Sequence, residues 1–168
     1  PDDGSVRVHV DGRCLDSANK GDLMEIRRAC SMVFQNPDEQ TVASTVEEDV
    51  AFGPENLGLP QEEIRRRVDA SLSLVGLDGF QQRVVHGLSR GQRQRVAVAG
   101  ALAMRPVVLL CDEPTAMLDA EGRREVMDVL RQVNKDEGTA VVLVTHGMDE
   151  VLEAERVVVV EGGQIVME

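Results

Sequence analysis

Between Ser5 and Gly12, Val6, Val8 and Val10 alternate with polar residues, which predicts a half-buried antiparallel strand closed by a turn at Asp11–Gly12. A second short strand is expected in "ACSMVFQ", ending on Gln35 before Asn36-Pro37 breaks it. After Pro60 the period changes: Ile64, Val68, Leu72 and Val75 share one helical face, acids crowd the first turn and Gly76 follows the end. "LSRGQRQRVAVAGALAMRP" reads as a helix with Ser89 as N-cap and Pro106 beyond its stop. Then come an apolar run from Val107 to Cys111, a helix from about Glu121 to Val133, and the run "AVVLVTH". Strand, helix and strand in that order, with both strands apolar throughout, predict parallel strands covered on both faces. The tail "RVVVVEGGQIVME" predicts a hairpin turning at Gly162–Gly163, and the stretch between Gln35 and Leu88 reads as mostly helical.

Composition narrows this picture. The chain has 168 residues, 42% of them apolar, enough for one domain with a sizeable core. With three Phe and neither Trp nor Tyr, that core must be built from Val, Leu, Ala, Ile and Met. A net charge of −12 repels nucleic acid and anionic membranes on average, although Arg65-Arg66-Arg67 is a local basic patch. Cys14, Cys30 and Cys111 are widely spaced and show no metal-ligand pattern, so reduced thiols in a cytoplasmic protein are expected, with Cys111 buried in its strand. No apolar stretch approaches the roughly 20 residues needed to cross a bilayer. The chain opens at Pro1, which leads us to expect a fragment or a processed product.

Three polar residues or pairs punctuate strand exits: Gln35, Asp112-Glu113 and His146. In parallel α/β sheets ligands gather at these carboxyl ends. Asp112 suits Mg²⁺, since hard cations favour carboxylate oxygen, and Glu113 suits the orientation or deprotonation of an attacking water. An isolated Asp-Glu pair is ordinary at a solvated strand end; the apolar run before it and "PTAMLD" after it favour the chemical reading. Neither His146 nor Gln35 would indicate a function unaided. In "LSRGQ", Ser89 and the backbone N–H groups around Gly91 at a helix start form a candidate anion site, or simply a Ser-capped helix.

In this order, the pieces resemble the nucleotide-binding subunit of an ABC transporter. "VFQNPD" resembles the Q-loop, "LSRGQRQRVAVAGAL" the signature motif, "VVLLCDEP" Walker B, "AMLD" the D-loop and "VTH" the switch histidine. "VFQNPDEQTVASTVEEDVAFGPENLGLP" and "DEPTAMLD" look most like the energy-coupling factor ATPases, which power uptake of vitamins or of cobalt and nickel ions. The resemblance implies an α/β fold: a three-layer P-loop NTPase-like core, incomplete at the N-terminus, with a helical subdomain over about residues 36–104 of a single domain, 1–168. It implies ATP and Mg²⁺ as ligands. Asp112 would serve the metal, Gln35 the metal or the water, Glu113 the hydrolytic water and His146 the γ-phosphate. Ser89, Gly91 and Gln92 would contact nucleotide held by the opposite subunit, and Asp119 would cross the interface. The implied partners are a second ATPase subunit, the same or related, and an integral membrane transporter subunit at the cytoplasmic face of the membrane.

Two departures stand out. Arg90 occupies the place of a second family glycine, and no G-x-x-x-x-G-K-[ST] phosphate loop (Walker A) occurs in the sequence. Little ATP binding and no useful hydrolysis are therefore expected of this chain alone, and loss of an N-terminal strand and helix would expose a sheet edge. Two other readings remain: a DNA-repair or chromosome-type ABC ATPase, and a catalytically inactive docking module. The first normally carries long coiled-coil or zinc-bearing insertions, and neither heptads nor C-x-x-C lies between Gln35 and Leu88.

Overall fold

The computed structural model describes residues 4–10, 12–152 and 154–168. Strands β1 (Arg7–Val10) and β2 (Arg13–Asp16) form an antiparallel hairpin. Val8 and Val10 are half-buried while Arg7 and His9 face out, as the alternation predicts. Asp11 lies outside the described residues; Gly12 completes the turn at φ 76°. The short helix α1 (Leu23–Ala29) leads into β3 (Cys30–Val33), which stops two residues before Gln35.

Three helices follow. Helix α2 (Val46–Asn56) starts with a reciprocal capping box between Thr45 and Glu48. Helix α3 (Gln61–Leu74) buries Ile64, Val68 and Leu72, with Val75 just past its end, and Gly76 stops the chain's helical course in the left-handed region at φ 66°. Helix α4 (Arg90–Ala103) buries Val96, Ala97, Val98, Ala99, Ala101 and Ala103. These small side chains let α2 approach closely: a Cβ on Gly100 would lie 3.9 Å from the Val50 Cα. Across α3, Glu63 is held down to about 2 by hydrogen bonds from Arg67 and Arg66. Arg67 also donates to the Ala103 carbonyl at 3.2 Å, docking α3 on the end of α4.

Strand β4 (Val108–Asp112) runs parallel to β3 on one side and to β5 (Ala140–Val144) on the other. The crossover between them is α5 (Ala120–Glu137), longer than the expected helix because the Asp119 cap and Gly138, at φ 70°, set its ends. A short helix α6 (Met148–Val151) and the hairpin β6 (Val159–Glu161) to β7 (Gln164–Met167) complete the order, with the turn at Gly162–Gly163. One core joins the sheet and helices through Val33, Leu109, Cys111, Val126 and Leu130. Cys111 is buried as expected, and burial pushes its thiol up to about 12.

Among the described residues, the expected cover on both sheet faces is present on one only. Leu109 and Cys111 are buried on that face, with Val141 and Leu143 packed against the same core. Opposite them, Met32, Val142 and Val144 are 39%, 49% and 54% exposed. An apolar run has the same composition whether or not a second layer lies on it. β3 and β5 are the two edges of this sheet. Among the described residues, no helix is long and apolar enough to cross a membrane.

Candidate functional site

β4 ends on half-buried Asp112, and the chain leaves it through Glu113 at φ 43°, a left-handed conformation that side chains rarely adopt. Neighbouring contacts define that turn. The Glu113 N–H donates to the Val144 carbonyl at 2.9 Å, and its own carbonyl accepts from the Ala116 N–H at 3.1 Å. Its carboxyl Oε2 accepts from the Gln35 amide at 3.0 Å, and Oε1 lies 3.4 Å from His146 Nδ1. Gln35, Glu113 and His146, from the exits of three parallel strands, thus meet at one sheet end. The Glu113 side chain is 31% exposed and that of His146 76%, so an external ligand can reach both.

The residues of "LSRGQ" lie in a second place. Ser89 Oγ accepts from the Gln92 N–H at 3.2 Å, while Gln92 Oε1 accepts from the Ser89 N–H at 3.0 Å. This capping box leaves the Ser89 hydroxyl proton to donate outward, but turns the Gln92 amide oxygen back on the cap. Asp119 Oδ1 accepts from the Gly122 N–H at 2.8 Å and caps α5 without a reciprocal bond, since the third residue of that helix is a glycine. The starts of α4 and α5 meet at Gly91 and Gly122, where a Cβ on Gly91 would lie 3.7 Å from the Gly122 Cα. Beside them lies a cleft of about 410 Å³ lined by Ser89, Arg90, Gly91, Gln92 and Asp119, among others. Arg90 and Arg95 line this cleft beside the carboxylates of Asp119, Glu121 and Glu125, and Arg95 pairs with Glu125 at 3.4 Å, so the groups left to favour an anion there are Arg90 and the helix starts. Arg90, the departure noted in the sequence, is exposed there.

Other polar residues tie these places together and were not singled out from the sequence. Gln94 is fully buried in α4 and donates to the Phe34 carbonyl, next to Gln35, at 3.1 Å. Arg93 pairs with Asp38 at 2.8 Å and donates to the Leu88 carbonyl at 2.6 Å. Their only sequence signal is their place one turn inside the signature helix. Glu150, on α6, is buried as well and accepts from Thr115 and Thr145.

Among the described residues, no group of three or more His, Cys, Asp or Glu side chains could hold a metal ion by itself. The Asp112 carboxyl and the Gln35 amide oxygen are hard donors of the kind Mg²⁺ takes. That ion commonly binds one or two carboxylates and completes its shell with water and phosphate, so this sparse donor set fits it.

A family model described as ABC transporter matches residues 1–116. The Energy-coupling factor transporter ATP-binding protein EcfA1 of Clostridium perfringens is 54% identical over 162 residues, covering 96% of this chain and 57% of the relative. Its counterpart in Symbiobacterium thermophilum is 56% identical over 161 residues, covering 96% of this chain and 55% of the relative. The chain therefore spans little more than half the length of these relatives. Among solved structures, cbiO1 from Clostridium perfringens, described as part of the ABC transporter complex cbiONQ, superposes with a TM-score of 0.85 at 39% identity, over 94% of this chain and 62% of that one. The ATP-binding cassette MJ0796, solved as a dimer bound to ADP and Pi, superposes with a TM-score of 0.78 at 30% identity, over 96% of this chain and 71% of that one. The fold is that of the ABC ATPase cassettes, and the chain belongs to the ABC transporter family.

Proposed function

We propose that this chain carries the acid-bearing part of an ATP site in an energy-coupling factor type ATPase subunit. The observation that carries the reading is the meeting of Gln35, Glu113 and His146 at one sheet end. Glu113 orients and deprotonates the attacking water, and Gln35 and His146 hold its carboxyl in place from two sides. His146 also offers a donor to the terminal phosphate. Asp112 and the Gln35 amide oxygen would hold a Mg²⁺ ion, which when bound would supply neutralisation of phosphate charge.

The phosphate loop that completes this site belongs, on this reading, to the rest of a longer subunit, whose remaining layer covers the exposed face at Met32, Val142 and Val144. Helices α2 to α4, within about residues 36–104, form the helical subdomain. The cleft at Ser89, Gly91 and Gln92 receives nucleotide held by a second ATPase subunit, with Asp119 at the interface between them. An integral membrane subunit at the cytoplasmic face supplies the route for a vitamin or a transition-metal ion, and hydrolysis drives that import. No nucleic acid is needed at either place.

The test is metal removal. The whole subunit, assembled with its partner ATPase, should release phosphate from ATP with Mg²⁺ present and fall to the uncatalysed background with excess EDTA. Phosphate release that persists after chelation would overturn the assignment of Asp112.

A further inference from the structure

Glu150 has no part in the chemistry described so far. It stands on the four-residue helix α6, yet its side chain is only 4% exposed. Each carboxyl oxygen holds a different loop. Oε1 accepts from the Thr115 hydroxyl at 2.5 Å, and Oε2 accepts from the Thr145 hydroxyl at 2.6 Å. Thr145 Oγ1 in turn accepts from the Gly147 N–H at 2.9 Å. Arg123, from α5, places its Nε 3.8 Å from Oε1. The fold-back is tight: a Cβ on Gly147 would stand 3.3 Å from the Glu150 Cδ and 3.4 Å from Thr145 Oγ1.

The two threonines flank the reacting groups. Thr115 follows Glu113 by two residues. Thr145 lies between His146 and Val144, whose carbonyl takes the Glu113 N–H. A left-handed conformation such as that of Glu113 persists only where its surroundings over-determine it. The Val144 carbonyl and the Gln35 amide hold Glu113 directly, while Glu150 ties the loop after Glu113 to the loop before His146.

We propose that Glu150 is a positioning residue: by accepting from Thr115 and Thr145 at once, it fixes the spacing of Glu113 and His146. The inference rests on the ATPase reading above and adds to it a residue that acts through Thr115 and Thr145. Small displacements of a reacting group cost rate far more than they cost binding, because remote contacts still hold the ligand. A residue serving stability alone would instead change the amount of folded protein and leave turnover per folded site intact.

The experiment uses the whole subunit in its assembled form, with kcat and KM for Mg-ATP measured per folded molecule. Glu150→Gln, Thr115→Val and Thr145→Val should each lower kcat by about tenfold to a hundredfold with KM changed by less than about threefold. Thr145→Ser, which keeps the hydroxyl, should restore kcat to within about threefold of the parent. The threonine variants keep the test decisive if Glu150→Gln folds poorly, since each retains the side-chain volume. An unchanged kcat in Thr115→Val and Thr145→Val would overturn the inference, as would a Thr145→Ser variant as slow as Thr145→Val. A rise in KM at constant kcat would overturn it too. A parent assembly without ATPase activity would overturn the ATPase reading itself, which separates the two failures.

Discussion

Glu113→Gln in the whole, assembled subunit is expected to lower steady-state ATP turnover by about a hundredfold to ten-thousandfold, with ATP still bound. The substitution keeps the shape of the side chain and one oxygen to accept from the Gln35 amide. It removes the second acceptor oxygen facing His146 and the capacity to take a proton from water. Binding survives because the phosphates are held by other groups. Rapid-quench assays for phosphate, run beside equilibrium binding of a fluorescent ATP analogue, check both halves of the expectation. A turnover within a few-fold of the parent would remove Glu113 from its role.

The second large effect concerns affinity. The 168-residue chain by itself is expected to bind ATP more weakly than the whole subunit, by about a thousandfold at least. Hydrogen bonds to charged groups contribute about 1.5–3 kcal/mol each, and a phosphate loop supplies several backbone N–H donors, a lysine and a hydroxyl. The described residues offer carboxylates and a histidine at one place and two arginines among three carboxylates at another, and the sequence contains no such cradle. Isothermal titration of both proteins at the same Mg²⁺ concentration measures the ratio. Equal affinities would mean that the phosphates are held by residues of this chain that the reading does not name.

Much of this arrangement is legible in the sequence where local chemistry decides it. Ser89 is an N-cap because a hydroxyl before a helix has an orphan N–H to satisfy, and the structure has that bond. The apolar runs became β4, displaced by one residue, and β5, which stops two residues before His146, and their exits carry Asp112 and His146 as expected. What was hidden depends on distant partners. β2 and α1 were not anticipated, since each is short and buries a single residue, Leu15 or Ala29. The open sheet face was also illegible, because Val142 and Val144 are as apolar as buried residues would be. Glu150 sits in an acid-rich stretch that reads as a solvated surface, and its partner Thr115 is 35 residues away. The convergence of Gln35 with Glu113, separated by 78 residues, was anticipated from strand exits alone, since parallel strands deliver their carboxyl ends to one edge.

The central claim is that Glu113 and Ser89 serve different ATP molecules, one held by each chain of a pair. Mixing whole subunits that carry Glu113→Gln with whole subunits that carry Ser89→Arg tests it most directly. Each variant alone should be inactive, since every site in it lacks a working group. In a mixed pair, one site receives Glu113 from one chain and Ser89 from the other, both intact. If the two copies pair at random, single-turnover ATP cleavage should recover to about a quarter of the parental amplitude. If the natural pair consists of two related chains, placing one substitution in each gives the same contrast against both substitutions placed in one chain. A mixture as inactive as either variant alone would contradict the account, because it would place Glu113 and Ser89 in the same chain's site.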